Sequence, residues 1–436
     1  MDEMKKWTLY LTFLVAGFAT GIGTIGLFPQ FWLEYGITGL VIHLGFLALF
    51  TYVAIIEAER VMKSGYYFVE LYKKILRKPA MITVILVLIA IFLSYYAANT
   101  MLILLAPVVG TGALGRLIAK IIMLAIVFVI LTRAKEKTFS IMAIGSMILV
   151  IAVVITTIAF WTRIPPTAAF LGMAKHMAMS RQHVSLAMIK LAAERALYGV
   201  GLGFAFYLML GSFMNERFNH KLIIGTGVFI QFIIGVLSTI TIIYAIAPAT
   251  PAELLKYVYG GEEGAIQLMG ELPKILAHYP GLLLLIVLSI FFAGVTSILP
   301  TAEVGLQILE SSMGVNRNKA AMYLIAISLA IGIPDSVPSL AEALLKAVSI
   351  SIFFTALYEL YPVVSKEVSK VTGIRPTTAK IVASALTAAF LIPSGLYAIY
   401  SNFKAGDLYV LSALLAVILV LFGFFGNSLF VRKAPE

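Results

Sequence analysis

Ala16-Gly-Phe-Ala-Thr-Gly-Ile-Gly-Thr-Ile-Gly-Leu-Phe-Pro29 and Tyr198-Gly-Val-Gly-Leu-Gly-Phe204 decide how this chain folds. Each is a glycine-rich interruption in the middle of a hydrophobic stretch that would otherwise read as a plain membrane helix. Inside hydrocarbon an unwound backbone survives only where it is buried in protein or lines a cavity, because every unsatisfied N–H or C=O is costly there. Matching interruptions in the two halves of a membrane chain point to a solute site at the bilayer midplane.

The rest of the chain supplies the membrane. Of 436 residues, 61% are hydrophobic and 12% charged, and the mean hydropathy is +1.01, far from a soluble globular domain. Apolar runs of about 20 residues recur near 8–33, 37–58, 80–107, 116–132, 138–160, 191–213, 221–246, 281–311, 319–333, 339–363, 378–400 and 408–431. The sequence therefore predicts an all-α membrane protein of about twelve transmembrane helices with no soluble domain.

The net charge of +11 follows this topology and calls for no nucleic-acid partner; the partner it implies is the lipid bilayer. Lys5 and Lys6, then Lys63, Lys73, Lys74, Arg77 and Lys78, then Arg133, Lys135 and Lys137, then Arg217 and Lys221, Arg317 and Lys319, Lys366 to Lys380, and Arg432 and Lys433 all fall on one side. The positive-inside rule makes that side cytoplasmic, so both termini are expected inside a multi-pass protein of the cell membrane. Only the long segment 161–190, with Arg163, Lys175 and Arg181, departs from this, and long loops follow the rule less strictly. Met1-Asp-Glu-Met-Lys-Lys6 is a short polar start, and the first apolar run is too long for a signal segment. With no cysteine, disulfides, thiolate metal sites and cysteine nucleophiles drop out together.

Residues 1–160 hold five spans and 191–364 another five, each block opening on a broken helix. The connector 161–190 lies outside, so the second block enters with opposite polarity, as an inverted repeat requires. Residues 365–436 add two peripheral helices and a tail. Two outer segments read as helical, 166–188 and 251–279 with Glu253, Glu262, Glu263 and Glu271; they serve either as caps on an outer vestibule or as ordinary connectors.

Four strings carry a resemblance. They are Gly17-Phe-Ala-Thr-Gly-Ile-Gly followed by Phe28-Pro29; Ser94-Tyr-Tyr96; Gly203-Phe204 with Gly211-Ser-Phe213; and Phe292-Ala-Gly-Val-Thr-Ser297 followed by Glu303 and Arg317. In this order the chain resembles the neurotransmitter:sodium symporter family, the LeuT-type sodium-coupled amino-acid transporters, over nearly its whole length. The resemblance implies a LeuT-type 5+5 inverted repeat with discontinuous helices one and six. It also implies sodium-coupled uptake of an amino acid by alternating access, without an organic cofactor.

The residues fit that expectation physically. Ala293, Thr296 and Ser297 are spaced i, i+3, i+4 and share one helix face, while Gly17 and Thr20 lie one turn apart where the first helix breaks and frees carbonyls. Five neutral hard oxygens suit a small monovalent cation, since a divalent ion normally demands carboxylates. Taken alone, the two hydroxyls read more readily as glue between packed helices, and the surrounding string turns the reading to sodium. The resemblance implies that Gly17, Thr20, Ala293, Thr296 and Ser297 form the family's principal sodium site. It also implies a degraded second site at Ala19, Thr24, Gly199 and Gln231, where Gly199 has lost a hydroxyl. The chloride-associated position falls near Gly235, so chloride dependence is not expected.

For the solute, free N–H groups at Ile22 and Gly23 beside a helix N-terminus attract a carboxylate. The resemblance adds the Tyr96 hydroxyl, Ala19, and carbonyls near Tyr198 for an ammonium group. It further implies a side-chain pocket of Phe92, Tyr198, Gly201, Phe204, Ser297 and Thr301. Gly201 leaves space there, so a hydrophobic amino acid is expected.

Other positions depart from the family pattern. Leu27 and Leu344 stand where its outer gate has an arginine and an acid; Arg195, with Glu342 as partner, is either a replacement gate or an interfacial arginine reaching water. Inside, Glu310 beside Ser311 is expected to face Lys5 or Lys6. Glu57 and Glu303 match acids that prop the broken helices, although Glu57 beside Glu59 and Arg60 reads almost equally as an interfacial ion pair. His43 is expected to be a packing residue, and no zinc spacing occurs. The alternative within the fold is a proton-coupled or ion-independent transporter or exchanger. A channel needs a line of polar pore residues and a membrane enzyme a histidine or carboxylate cluster near an interface, and the sequence has neither.

Overall fold

A computed structural model describes residues 3–430. Met1, Asp2, Arg432 and Lys433, and the side chains of Glu262 and Glu263, lie outside the described residues. The described chain is helical throughout, without strands.

Among the described residues, nine helices are long and apolar enough to cross a bilayer. Three further spans are broken or short, for identifiable reasons. The first is split between α1 (Glu3–Ala19) and the start of α2 (Ile22–Ser64), and α2 then continues as the second span. Its change of direction is at Gly36, where φ is 60° and ψ −154°, a region open only to glycine. A Cβ there would lie 2.3 Å from the Ser180 carbonyl oxygen, which accepts the Ile37 N–H at 3.1 Å.

Next come α3 (Ala80–Val109), α4 (Ala113–Leu131), α5 (Lys135–Arg163) and the connecting helix α6 (Ala168–Met179). The sixth span is split into α7 (Leu186–Val200) and α8 (Phe206–Phe213), and is followed by α9 (His220–Ile246). Two connecting helices, α10 (Pro251–Tyr259) and α11 (Gly261–Ile275), precede α12 (Pro280–Met313), and α13 (Arg317–Gly332) is a short ninth span of 16 residues. Then come α14 (Pro338–Glu359), α15 (Thr378–Ala405) and α16 (Asp407–Phe425).

α1, the first half of the broken span, packs against α5, α9 and α12, and α2 packs against α9 and α12. The last two helices lie against α14 and α3 at the edge. The short α10 is seated on α2: Tyr257 Oη donates to the Gly26 carbonyl at 2.6 Å and Gln30 Nε2 donates to the Tyr257 carbonyl at 2.5 Å. At the other end, buried Arg60 donates to the Ile374 carbonyl at 2.7 Å and the Val363 carbonyl at 3.2 Å, and Glu59 pairs with Lys63 and Lys380. These bonds tie α2 to the 361–380 segment.

Candidate solute and cation site

At the first break only Thr20 and Gly21 leave the helix. The Thr20 N–H still donates back to Ala16 at 3.0 Å, and the chain restarts when Thr24 donates to the Gly21 carbonyl at 3.0 Å. The Thr20 carbonyl accepts from Ser297 Oγ at 3.3 Å. Ser297 Oγ also lies 3.1 Å from the Ala293 carbonyl, and Thr296 Oγ1 lies 3.2 Å from the same oxygen. Gly17 is pressed onto this group: a Cβ on it would sit 3.1 Å from Thr296 Cβ and 1.9 Å from Ser146 Oγ. Gly17, Thr20, Ala293, Thr296 and Ser297 thus meet at one place. Ser146 of α5 joins them, and its only sequence signal was a hydroxyl within an apolar run.

The second break is longer and more strained. Residues 201–205 separate α7 from α8, with φ of 85° at Gly201, 98° at Gly203 and 58° at Ala205. The freed N–H groups of Gly203, at 2.8 Å, and of Ala205 both donate to the carboxylate of Glu359, the last residue of α14. Glu359 is therefore the prop of this break, and sequence reasoning missed it. Glu303 is corrected accordingly. It receives a two-pronged contact from Arg317, at 2.9 and 2.6 Å, and a bond from Gln307 at 3.1 Å, and it touches neither break. Arg317 also donates to the Arg133 carbonyl at 2.9 Å, so this pair fastens α12 to the α4–α5 turn. Glu57 is fully buried beside Glu359 and makes no hydrogen bond to either break or to Arg60, which excludes an interfacial ion pair.

Of the pocket residues, Phe92 stacks on Tyr96 with ring centroids 4.0 Å apart and tilts against Phe204 at 5.0 Å. Tyr198 is half-buried against the large apolar core to which Phe92 and Phe204 belong. Ser297 faces the first break from across this group, 3.5 Å from where a Cβ on Gly21 would lie. Thr301 Oγ1 donates at 2.8 Å to the Ser297 carbonyl within its own helix. The space beside Gly201 is not pocket, a second correction. The Phe18 ring fills it, lying 2.4 Å from a Cβ built on Gly201 and stacked at 3.8 Å on Phe206. Ile22 and Gly23 open α2 beside this group.

The second oxygen set also converges, but around an amide. Thr24 Oγ1 donates to the Ala19 carbonyl at 3.5 Å and accepts from Gln231 Nε2 at 3.3 Å. Gly199 is where the carboxamide fits, since a Cβ there would be 3.2 Å from Gln231 Nε2.

The gate pairings differ from those expected. Glu342 accepts from Tyr409 Oη at 3.1 Å, and no ion pair joins it to Arg195, within whose electrostatic reach Glu34 lies instead. Leu27 and Leu344 pack among apolar neighbours. Glu310 approaches Lys135 at 3.7 Å rather than Lys5 or Lys6, because α5 brings its N-terminal lysine to the end of α12. His43 is buried, with Nδ1 3.1 Å from the Ala192 carbonyl and its ring against Phe28 and Phe31.

A second buried charge cluster went unread. Lys120 Nζ lies 2.8 Å from Asp335 Oδ2 and 2.7 Å from the Gly332 carbonyl, and Ser94 Oγ donates to Asp335 at 2.5 Å. This pair sits behind α3, on the side away from Phe92 and Tyr96. A lysine inside the 116–132 apolar run was the available signal.

Neither a protein-family model nor a curated protein sequence matches the chain. Among solved structures it is similar to one described as the crystal structure of MhsT in complex with L-phenylalanine, with 15% sequence identity and a TM-score of 0.64. The likeness covers 95% of this chain and 98% of that one. A match of this extent at such low identity establishes architecture, and the architecture is the LeuT-type fold, an all-α membrane protein with inverted repeats and discontinuous first and sixth helices.

Proposed function

We propose that this chain is a sodium-coupled symporter of a hydrophobic amino acid, of the neurotransmitter:sodium symporter kind. The observation that carries the reading is the convergence of Ser297 Oγ on the Thr20 carbonyl at 3.3 Å, with Ala293, Thr296 and Gly17 around them. A cation held there touches both the break in the first span and the intact α12. Binding it therefore fixes the position of one relative to the other. The N–H groups at Ile22 and Gly23 and the Tyr96 hydroxyl take the carboxylate, and carbonyls near Tyr198 take the ammonium group. Backbone dipoles thereby satisfy a zwitterion without burying a fixed charge. Phe92, Phe204 and Tyr198 give the side chain an aromatic, apolar setting.

One sodium ion per cycle is the supported stoichiometry. The Gln231 amide stands among Ala19, Thr24 and Gly199 as a hydrogen-bond donor where a second cation would otherwise lie. The two five-helix units, residues 1–160 and 191–364, form the alternating-access core in the cell membrane, with cytoplasmic termini by the distribution of basic residues. The resemblance to a structure holding L-phenylalanine supports an amino-acid substrate.

The test is uptake into proteoliposomes under imposed sodium, potassium and proton gradients, with a panel of amino acids. Sodium-driven accumulation of hydrophobic amino acids, lost in Thr296→Ala/Ser297→Ala, is the expected result. Accumulation indifferent to sodium would sink the reading.

A further inference from the structure

Two buried carboxylates lie near the second break, one of them bonded to it, and the transport reading uses neither. Glu359 is 1% exposed and accepts the N–H groups of Gly203 and Ala205. Glu57, on α2, is 0% exposed, stands within electrostatic reach of Glu359, and has neither carboxylate oxygen hydrogen-bonded.

The titratable groups around them are tyrosines whose hydroxyls are already spent. Tyr72 donates to the Tyr358 carbonyl at 3.0 Å, Tyr207 to the Val200 carbonyl at 2.6 Å, and Tyr358 to the Lys78 carbonyl at 2.7 Å. Tyr361 stacks beyond, on Tyr358. No cation compensates the pair among the described residues. Arg60 is committed to the 363–374 segment, and Lys63 and Lys380 to Glu59.

The contrast with Asp335 is direct, since that buried carboxylate has Lys120 against it at 2.8 Å. Two like charges in a dry site cannot both persist without a counter-charge. A metal ion is a poor counter-charge here: hard cations take six or so oxygens, and both oxygens of Glu359 already face amide hydrogens, while among the described residues no group of three metal-ligating side chains occurs.

We propose that Glu57 and Glu359 form a proton-binding site, with the proton on Glu57 and the ionised carboxylate on Glu359, coupled to the setting of residues 201–205. Release breaks the O–H bond of Glu57 and sends the proton to water when the segment opens; the pair, then doubly negative, recovers a proton from water on the side that next admits it. Because Glu359 holds the segment bearing Phe204, a change of charge on its neighbour changes the grip on both N–H groups. The proton-holding half stands on geometry alone; the link to the transport cycle rests on the function proposed above.

Infrared difference spectroscopy of the purified protein, titrated with pH, tests the first half. A protonated-carboxyl C=O band present at neutral pH should be lost in Glu57→Gln, and in Glu359→Gln the pH at which it fades should shift. Size-exclusion profile and thermal melting check the fold of each variant. A spectrum identical in wild type and Glu57→Gln, or no such band in the wild type, overturns the proposal. For the second half, proteoliposomes loaded with a pH-sensitive dye should show a proton signal during sodium- and amino-acid-driven uptake that is absent in Glu57→Gln. Uptake with no proton signal removes the coupling. The band present together with uptake indifferent to sodium leaves the proton site standing and removes the symport reading, so the two failures are distinguishable.

Discussion

At the first break the chain leaves helical geometry for two residues, and the groups that meet there are hydroxyls and carbonyls: Ser297 and Thr296 with the oxygens of Thr20 and Ala293, and Gly17 pressed against Thr296. At the second, five residues unwind, three of them with positive φ, and a carboxylate takes the freed N–H groups. The first break gathers electron-rich oxygens with no charge among them, which is an arrangement for a cation. The second gathers donors on a built-in anion and needs no ligand to stay in place. Two interruptions that look alike in sequence are thus built differently, one lined by neutral oxygens and the other tied to a carboxylate.

Removing the anion at the second break should have the largest effect. Glu359→Ala leaves two buried N–H groups unsatisfied, at about 1–3 kcal/mol each. Thermal melting in detergent should fall steeply, while Glu359→Gln, which keeps an acceptor, should fall much less; equal losses would mean the carboxylate is not the prop. Gly201→Ala comes next. It places a side chain at φ 85° and drives a Cβ into Phe18, for about 2–4 kcal/mol from left-handed strain and overpacking together. Phe18→Ala in the same chain should recover the packing part only.

At the first break, Gly17→Ala meets Ser146 Oγ at 1.9 Å. Overpacking of about 1–3 kcal/mol should appear as a sodium half-saturation raised about tenfold or more, by the usual 1.4 kcal/mol per decade. Ser146→Gly added to it should reverse most of the rise; no reversal would detach Ser146 from the cation group. Smallest is Ala205→Gly. It relieves a left-handed alanine at φ 58° and offsets part of that gain with glycine's entropy, for a net stabilisation of about 0.5 kcal/mol readable as a slightly higher melting temperature.

What the sequence could reveal was whatever is local. The apolar runs, the two glycine breaks and the i, i+3, i+4 spacing of Ala293, Thr296 and Ser297 are contained in short windows, and the fold and the cation group follow from them. Glu359 was invisible because its partners lie 154 and 156 residues away and Tyr358-Glu-Leu-Tyr361 reads as an ordinary helix end. Glu303 was misread for the converse reason: its position in a familiar string suggested a broken-helix prop, while its partner Arg317, 14 residues on, was already in view. Gly201 and Gly199 showed missing side chains, and a sequence does not say what enters the space. Phe18 enters one and Gln231 the other. Lys120 and Asp335, 215 residues apart, required the three-dimensional pairing to be seen at all.

The most direct measurement is equilibrium binding of radiolabelled sodium to the purified protein and its variants. If the first break is the cation site and the second is not, the wild type should bind one sodium ion per chain, Thr296→Ala/Ser297→Ala should bind none, and Glu359→Gln should still bind one. Sodium binding that survives in the double variant, or that vanishes in Glu359→Gln while the protein remains folded, would contradict the division of labour between the two breaks.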